Sequence, residues 1–417
     1  MEKIEINEKQ RREDGAYVFH HPPKFLWEKE DLPLMKWTDF TLYVHVPFCR
    51  EICTFCTFER KKLEKGALNK FMGSILKEIE ITLAKWDFSE SKPGALYLGG
   101  GTASLLSVSD LTILVNKLRS SFGLLKDAEI TLECEPGTKQ LSDFRQLKSI
   151  GINRVSIGFQ AFQNELLRSL NRMHTIEESL KMFNSVKEAG IENIHIDLMF
   201  GLPGQTMEDW KFSIQEALKL APKHFSLYTL IVFKNELLDR SLANGTMKQL
   251  PSTEVINEMR EWAQIQLTEN GYDQYSLTEY CKSGYQCRYV TSNWNGSDYL
   301  GFGPAAYSRN GSYLWENHVL HTLYHSSVKA DELPYHKMFK MNSTDICKRD
   351  LAMGVCLLQI PLDPILTKVG EIDPLIKEHL AELENEGLIS MNDRAITLNT
   401  ASQRFATYIM KRIIGDN

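Results

Sequence analysis

The chain has 417 residues, of which 43% are hydrophobic and 24% charged, and its formal net charge is −6. This composition is typical of a globular protein, and the length suits one large domain plus a smaller one. The acidic balance argues against a dedicated nucleic-acid binder, and no apolar run approaches the roughly 18–20 residues that cross a membrane. We therefore expect no nucleic-acid partner and no membrane span. We also expect a monomer, because few features suggest an obligate oligomer.

The first 40 residues (1–40) are predicted to form an extended N-terminal segment that lies over a larger domain. Its first part, Met1 to Asp14, is rich in charge and lacks the apolar core of a signal peptide. His20 and His21 precede two prolines, and we interpret them as part of a surface turn rather than as metal ligands. Eight cysteines in a chain of this length do not resemble a disulfide scaffold, which favours a reduced, cytoplasmic setting.

Between residues 41 and 230, strand-like runs alternate with amphipathic helical stretches. Such alternation predicts βαβ units around a parallel sheet, which is an α/β fold. Six units are too few for a closed eight-stranded barrel and suit a partial (β/α)6 barrel, with a doubly wound open sheet as the alternative. In either fold the chemistry lies at the carboxyl ends of the strands. The strands are predicted at Leu42–Val46, Ala95–Leu98, Glu129–Glu133, Arg154–Ile157, Asn193–Met199 and His224–Thr229.

The first of these strands is followed by a loop with three cysteines, Cys49, Cys53 and Cys56, at the spacing C-x3-C-x2-C. Four thiolates usually hold a cubane iron–sulfur cluster, so three leave one iron without a protein ligand. A cluster needs such an open iron if it is to bind a small molecule rather than only pass electrons. Three buried free thiols and a structural zinc site are the alternatives, although zinc normally needs a fourth ligand.

The run Tyr43-Val-His45-Val-Pro-Phe-Cys49, together with this spacing, resembles the radical S-adenosylmethionine (SAM) superfamily. More narrowly, it resembles the oxygen-independent coproporphyrinogen III oxidase family. The resemblance implies a partial (β/α)6 barrel and a [4Fe–4S] cluster on Cys49, Cys53 and Cys56, with SAM chelating the open iron. Tyr43 and His45 flank the cluster, and the resemblance implies proton-handling or positioning roles there, which makes them candidate catalytic residues.

A glycine run, Gly99-Gly100-Gly101-Thr102, follows the second predicted strand. Glycines at this place let a ligand approach the backbone closely, and the exposed N–H groups can bind anions. A tight turn between strand and helix is an equally common use of three glycines, and no lysine follows to make a nucleotide-binding P-loop. The resemblance implies that this run binds the amino and carboxylate groups of SAM. The family usually has proline where Ala103 stands.

Four polar residues stand in or after the later strands. A carboxylate at a strand end suits the hydroxyls of a ribose, although a solvated rim is an equal alternative. An aspartate inside an apolar strand is costly to bury unless it is hydrogen-bonded, so a structural partner competes with a chemical role. His174 is predicted to be a capping or surface residue rather than a base. The resemblance implies SAM contacts for Glu133, Gln160, Arg172 and Asp197.

The alternation ends near residue 230. Residues 231–342 contain a stretch rich in glycine and aromatic residues, which we expect to pack across the barrel mouth and to shape the substrate pocket, with a plain aromatic core as the alternative. Residues 343–417 are predicted to form a winged-helix-like α+β domain. Its clearest helix has Asp373 as N-cap and Pro374 at the first helical position. Mixed charges favour a structural or lid role over DNA binding.

Three departures from the family direct the functional prediction. Coproporphyrinogen dehydrogenases have a fourth cysteine where Phe58 stands, and haem-carrying members have histidines where Tyr289 and Tyr307 stand. We therefore predict a class C methyltransferase or cyclopropane-forming enzyme that uses two SAM molecules on a small-molecule substrate. Anaerobic porphyrinogen oxidation or haem processing is the alternative, and a haem-binding chaperone is a further one. The electron donor is predicted to be flavodoxin or ferredoxin.

Overall fold

The computed structural model describes residues 21–415 and shows an α/β protein built on one large mixed sheet. The stretch Met1–Asp14 and His20 lie outside the described residues. All six predicted strands are present, each within three residues of its expected bounds. In chain order the strands are β1 (Phe40–Val46), β2 (Phe48–Cys49), β3 (Lys61–Lys62), β4 (Ala95–Gly100), β5 (Glu129–Cys134), β6 (Arg154–Gln160), β7 (Asn193–Phe200), β8 (His224–Thr229), β9 (Asp273–Gln274), β10 (Glu279–Cys281), β11 (Asp298–Phe302), β12 (Tyr307–Asn310), β13 (Tyr313–Asn317), β14 (Tyr335–Lys340), β15 (Gln359–Pro361), β16 (Ile389–Met391) and β17 (Ala395–Leu398).

The large sheet has a parallel centre, in the order β11-β1-β4-β5-β6-β7-β8. Antiparallel strands continue it on both sides, β12 to β14 beyond β11 and β10 with β9 beyond β8. Within residues 21–415, β8 and β11 do not pair with each other, so the barrel stays open. The prediction of an α/β fold with a partial barrel is thereby confirmed.

Strand β11 comes from the glycine- and aromatic-rich stretch that we expected across the barrel mouth. It pairs in parallel with β1 and buries Leu300 and Phe302 in the main core. Gly301 permits the close turn back into β12, because a Cβ at that position would lie 2.2 Å from the Tyr307 carbonyl oxygen. Only part of this stretch reaches the mouth, where Trp294 lines the cavity described below.

Helices follow the strands and cover the outside of the sheet. Five of the described helices begin at a capping box, in which the N-cap side chain and an acidic side chain satisfy the first backbone N–H groups, and in three of these the N-cap is a hydroxyl residue. The helices are α1 (Ala67–Lys85), α2 (Val108–Phe122), α3 (Leu141–Ser149), α4 (Asn164–Ser169), α5 (Ile176–Glu188), α6 (Met207–Leu220), α7 (Leu237–Ala243), α8 (Thr253–Glu269), α9 (Arg288–Trp294), α10 (His321–Lys329), α11 (Ser343–Gly354), α12 (Asp363–Val369), α13 (Pro374–Asn385) and α14 (Ala406–Ile414).

The two ends of the described chain pack on the barrel in different ways. Residues 21–39 lie extended over it, and they are anchored by buried Trp27 and Trp37. Near the C-terminus, helices α11 to α14 and the small sheet β15-β17-β16 enclose a hydrophobic core of their own. The N-cap Asp373 accepts from the backbone N–H of Leu375, so the predicted helix is confirmed, and β16 pairs with β17 in an antiparallel hairpin. No helix among the described residues is long and apolar enough to cross a membrane.

Candidate functional site: a cysteine loop beside a two-ended cavity

The cysteine loop is closed at its base by a two-residue ladder. Strand β2 ends at Cys49 and pairs in parallel with β3, so that Cys49 lies beside Lys62. Cys53 and Cys56 lie between the two strands, linked by a hydrogen bond from the Cys56 N–H to the Cys53 carbonyl (3.3 Å). All three thiols are half-buried. Burial, together with the neighbouring Cys56 and Cys53 thiols, raises the pKa of Cys49 to about 11, although a hydrogen bond with Thr102 lowers it in part.

The glycine run that follows β4 leaves room for a group on these thiols. A Cβ at Gly101 would lie 2.9 Å from Cys49 Sγ, so a larger residue would displace that sulfur. Three thiols on one loop, with the side chain of Phe58 exposed where a fourth cysteine would stand, fit a cluster that keeps one open iron. Gly101 and Thr102 line the adjacent cavity, whereas Gly99 and Gly100 lie behind it.

Gly99 and Gly100 hold the predicted SAM residue Glu133. The Gly100 N–H donates to Glu133 Oε2 (3.1 Å), and the Tyr97 hydroxyl donates to Oε1 (2.7 Å). A Cβ at Gly99 would lie 2.8 Å from the same carboxylate, so glycine is required for this approach. Burial raises the pKa of Glu133 to about 7. A carboxyl held at two points in this way can present its remaining lone pairs to ligand hydroxyls.

Asp197 faces the cavity and is held from behind by a buried chain of hydrogen bonds. The Arg154 guanidinium can only donate, so its contact with His195 Nδ1 (2.8 Å) leaves the ring proton on Nε2. That nitrogen donates to the Ser226 hydroxyl (2.6 Å) and lies 3.1 Å from Asp197 Oδ1, and the Ser156 hydroxyl donates to Oδ2 (3.0 Å). Burial raises the pKa of Asp197 to about 6 and holds that of His195 well below its usual range, where Arg154 lowers it further.

Sequence reasoning missed His195, although a signal was present. Residues 195 and 197 lie on the same face of β7, because side chains alternate along a strand. His195, His224 and Glu279 also bring possible metal-ligand atoms within 4.8 Å of one another. The proton on His195 Nε2 and the guanidinium of Arg154 at its other nitrogen leave that ring without a free lone pair. We therefore interpret the trio as a hydrogen-bonded network.

Gln160 and Arg172 complete the wall nearest the cysteines. Gln160 has a positive φ of 66° at a bulge between β6 and β7, an uncommon conformation for a residue other than glycine. Arg172 donates to the Gly158 carbonyl (3.2 Å) and lies 3.4 Å from Cys53 Sγ. His174 is buried, so the prediction of a surface position is wrong. Its pKa falls to about 3 because of burial and the nearby Arg172.

Tyr43 and His45 lie behind the cysteine loop and are not part of the cavity wall. Nε2 of His45 contacts the Glu59 carbonyl (2.8 Å), and because a carbonyl only accepts, this nitrogen carries the proton. The Tyr43 hydroxyl then donates to Nδ1 (2.9 Å). Burial lowers the pKa of His45 to about 4. This arrangement ties the end of the loop to β1, and a catalytic role for either residue stays a prediction.

The cavity at the barrel mouth has a volume of about 500 Å³ and two unlike ends. Its polar end contains Gly101, Thr102 and the predicted SAM residues. Its other end is mostly apolar and is built by the cysteine loop, the segment after β8, residues 276–278 and helix α14. The apolar end is formed by Phe55, Phe58, Met199, Phe200, Leu227, Leu230, Ile231, Phe233, Leu277, Trp294, Cys356, Ala406 and Met410, with Arg260 beside them.

The tyrosines at the two histidine positions of haem-carrying relatives are not among the residues that line the cavity in the described part of the chain. Tyr289 stacks between Tyr43 and Tyr97, with ring centroids 5.5 and 4.8 Å away. The Tyr307 hydroxyl donates to Glu316 (2.6 Å). These two residues therefore do not decide what the cavity can hold.

Comparison with known proteins identifies similar chains. Residues 43–217 match the family model described as the radical SAM superfamily. The chain is 27% identical over 377 residues to the heme chaperone HemW of Bacillus subtilis, covering 90% of this chain and 99% of that one. It is 32% identical over 278 residues to HemW of Escherichia coli, covering 66% and 71%. In structure it is similar to coproporphyrinogen III oxidase HemN of Escherichia coli, with a TM-score of 0.79 at 23% identity, covering 91% and 90%.

These comparisons overturn the predicted reaction. The expectation of a methyltransferase or cyclopropane-forming enzyme is wrong, because similar curated chains from several bacteria are named heme chaperones. The prediction depended on Phe58, Tyr289 and Tyr307, and of these three residues only Phe58 lines the cavity. The expectation of a [4Fe–4S] cluster and SAM agrees with the matched family and with the cysteine loop.

Proposed function

This chain belongs to the radical SAM superfamily and, within it, to the oxygen-independent coproporphyrinogen III oxidase-like family; from that premise we propose that it binds a haem-type tetrapyrrole beside SAM. The tetrapyrrole occupies the apolar end of the cavity and SAM the polar end. The observation that carries the proposal is the continuity of these two ends in one space of about 500 Å³. The names of the relatives, heme chaperones, agree with it.

The apolar end suits a flat ring system that carries carboxylates. Ligand cavities of about 300–1,000 Å³ with mostly apolar walls and a few polar groups are typical of small-molecule sites. Arg260 supplies a cation at this end. Its guanidinium lies over the Phe200 ring at 5.8 Å and donates to Asn257 and Thr229, which fixes its direction. An arginine held in this way can bind a carboxylate of the ligand.

Iron in haem is bound by histidine, cysteine, methionine or tyrosine side chains. In the described part of the chain no histidine lines the cavity. The apolar end offers the Cys356 thiol and the Met410 and Met199 thioethers instead. Burial raises the pKa of Cys356 to about 12, so this thiol stays protonated until a metal displaces its proton. Cys356 and Met410 are the residues that would hold the iron.

The polar end fits SAM and its cluster. When bound, a cluster with one open iron supplies the electron that cleaves SAM to methionine and a 5′-deoxyadenosyl radical. The chain's own residues position the nucleoside: Glu133 and Asp197 offer carboxyl oxygens to its hydroxyls, and Arg172 holds the wall between Cys53 and β6. A second SAM molecule stays a prediction and is not needed here.

A haem titration of two cavity variants tests the proposal. Leu230→Trp fills the apolar end, and Leu125→Trp places the same residue at an exposed position on the outside of the barrel. We expect Leu230→Trp to weaken haem binding at least tenfold, as followed by the Soret absorption band, with Leu125→Trp binding like the wild type. Equal affinity in all three proteins would contradict haem binding in this cavity.

A second function, oxidation of a porphyrinogen, is favoured by one observation. Apart from Gly99 and Gly100, the predicted SAM residues line the same space as the apolar end. A carrier without SAM chemistry has no use for them. Anaerobic incubation with a porphyrinogen, SAM and a reductant separates the two functions. Porphyrin formation in step with 5′-deoxyadenosine supports oxidation, and haem binding without porphyrin formation supports the chaperone.

A further inference from the structure

A basic surface lies next to the cysteine loop of this acidic protein. We call it the basic face and define it by Arg60, Lys61, Lys62, Lys65 and Lys70. Residues 50–70 contain six cations and three carboxylates, whereas the whole chain carries a net charge of −6. The four lysines of the basic face are exposed, and Arg60 is half-buried. The charge is therefore concentrated where solvent and partners can reach it.

The basic face is fixed to the strand that carries the first cysteine. Lys61 pairs with Phe48 and Lys62 with Cys49 across the β2–β3 ladder. Two backbone hydrogen bonds hold it there, from the Lys61 N–H to Pro47 (2.6 Å) and from the Leu63 N–H to Cys49 (2.8 Å). Adjacent strands lie about 5 Å apart. A protein that covers these lysines thus comes close to the cluster ligands.

The nearby carboxylates leave the positive potential largely in place. Lys61 pairs with Glu64 (3.1 Å) and Lys62 with Glu51, and in both pairs the side chains are accessible to solvent. Such exposed pairs contribute little and break easily. The positive charge of these lysines also affects the pKa of two histidines on the neighbouring helix α10. Burial is the main reason that the pKa of His321 is lowered, and the charges of Lys61 and Lys70 lower it further, whereas Glu64 raises it. Burial and then Lys70 lower the pKa of His325 in the same way.

We propose that the basic face docks a small acidic electron carrier, a flavin or iron–sulfur protein, that reduces the bound cluster. One electron passes in each encounter, so the carrier is oxidised by one electron and the cluster held by Cys49, Cys53 and Cys56 is reduced by one. Opposite charges steer such encounters and raise association rates by roughly 10- to 1,000-fold at low salt. The inference rests on the cluster of the proposed function and is independent of haem.

Charge reversal on the ladder tests the docking. Lys61→Glu/Lys62→Glu reverses two cations of the basic face, and Lys181→Glu/Lys187→Glu reverses two exposed cations on α5 as a matched control. Iron content is measured first in each reconstituted protein. Cluster reduction is then followed by stopped-flow absorption, with reduced flavodoxin as the acidic probe and photoreduced deazariboflavin as a small uncharged reductant.

We expect the Lys61/Lys62 variant to be reduced by flavodoxin at least tenfold more slowly at low salt, with a flattened salt dependence. Reduction by deazariboflavin should not change, and the α5 control should behave like the wild type. Lys61→Gln/Lys62→Gln should give an intermediate rate. An unchanged flavodoxin rate, or an equal fall in the α5 control, would overturn the proposal. Haem titration of the same variants is a separate readout, so a failure to bind haem leaves this result standing.

Discussion

The two ends of the cavity are built differently. At the polar end, the two carboxylates stand towards the carboxyl ends of central strands and are held by hydrogen bonds from neighbours, as Glu133 is by Tyr97 and Asp197 by Ser156. At the apolar end, the wall comes mainly from segments outside the repeated strands and helices, including Leu277 and Met410. The barrel therefore fixes the cofactor geometry, and the added segments determine which ligand shares the space.

We expect the largest effect from changes to the three cluster cysteines, because these residues hold the cluster that SAM binding at the polar end requires. Cys53→Ala should abolish both iron binding and SAM cleavage, because two thiolates cannot hold a cubane cluster. Cys347→Ala removes a buried thiol from the C-terminal core and should keep normal iron content. Iron analysis and 5′-deoxyadenosine quantification give the answer. Full SAM cleavage by Cys53→Ala would disprove the cluster assignment.

A smaller change at the same end tests the space beside Cys49. Gly101→Ala adds a Cβ 2.8 Å from the Phe48 carbonyl oxygen and 2.9 Å from Cys49 Sγ, so we expect β2 and its cysteine to shift locally and most of the iron to be lost on reconstitution while the overall fold is retained. Gly94→Ala is the control, because nothing lies within 4 Å of its added Cβ. Iron per chain, with circular dichroism as the check on folding, distinguishes them. Equal iron content in both variants would contradict the conclusion that Gly101 leaves space for the cluster beside Cys49.

The pH dependence of stability reports on Asp197. Its pKa is raised to about 6 in the folded protein, so between about pH 4 and 6 the folded chain holds a proton that the unfolded chain has released. Stability is therefore lost as pH rises through this range. Asp197→Asn stays neutral, so its free energy of unfolding relative to wild type should rise by about 1.4 kcal/mol between pH 5 and 7.5. Denaturant unfolding of the SAM-free protein measures the difference, and a pH-independent difference would refute the shift.

Loss of His195, which lies behind Asp197 and is hydrogen-bonded to Ser226, should weaken SAM binding and leave the apolar end unchanged. His195→Leu removes a buried donor, and we expect SAM affinity to fall about tenfold, roughly 1.4 kcal/mol. His195→Asn keeps a donor and should restore part of the loss. Isothermal titration with SAM, paired with a haem titration, shows whether the effect is confined to one end. Equal loss in the Leu and Asn variants would indicate a packing effect only.

Arg260 offers the converse test at the apolar end. Arg260→Ala should weaken haem binding about fivefold, close to 1 kcal/mol, because one partly exposed charged contact to a carboxylate is lost. Arg240→Ala removes an exposed arginine from α7 and should have no effect. SAM affinity should be unchanged in both. A loss of SAM binding in Arg260→Ala would show that the two ends are not separable.

Local patterns in the sequence were sufficient to predict most residues of the polar end. The spacing of Cys49, Cys53 and Cys56 and the alternation of strands and helices predict the loop and the barrel. His195 was missed because its partner Arg154 lies on the adjacent strand, and only the register of β6 against β7 brings the two together. Strand β11 was missed because its parallel partner β1 lies about 250 residues earlier in the chain.

The apolar end was less predictable for the same reason. Cys356 and Met410 line the cavity although they belong to the C-terminal segment, and nothing local in their sequence indicates this contact. The prediction from Tyr289 failed because it compared residue types without knowing where the side chain points. In the structure that ring stacks on Tyr43 and Tyr97, away from the ligand space.

The most direct test of the shared cavity is an anaerobic haem titration of the reconstituted protein, with and without SAM. Our account predicts saturable binding of one haem per chain, with a shifted Soret band, under both conditions. It also predicts that SAM still binds to the haem-loaded protein, because the two ligands occupy different ends of the cavity. A Soret band that stays that of free haem at all ratios, or strict competition between haem and SAM, would contradict it.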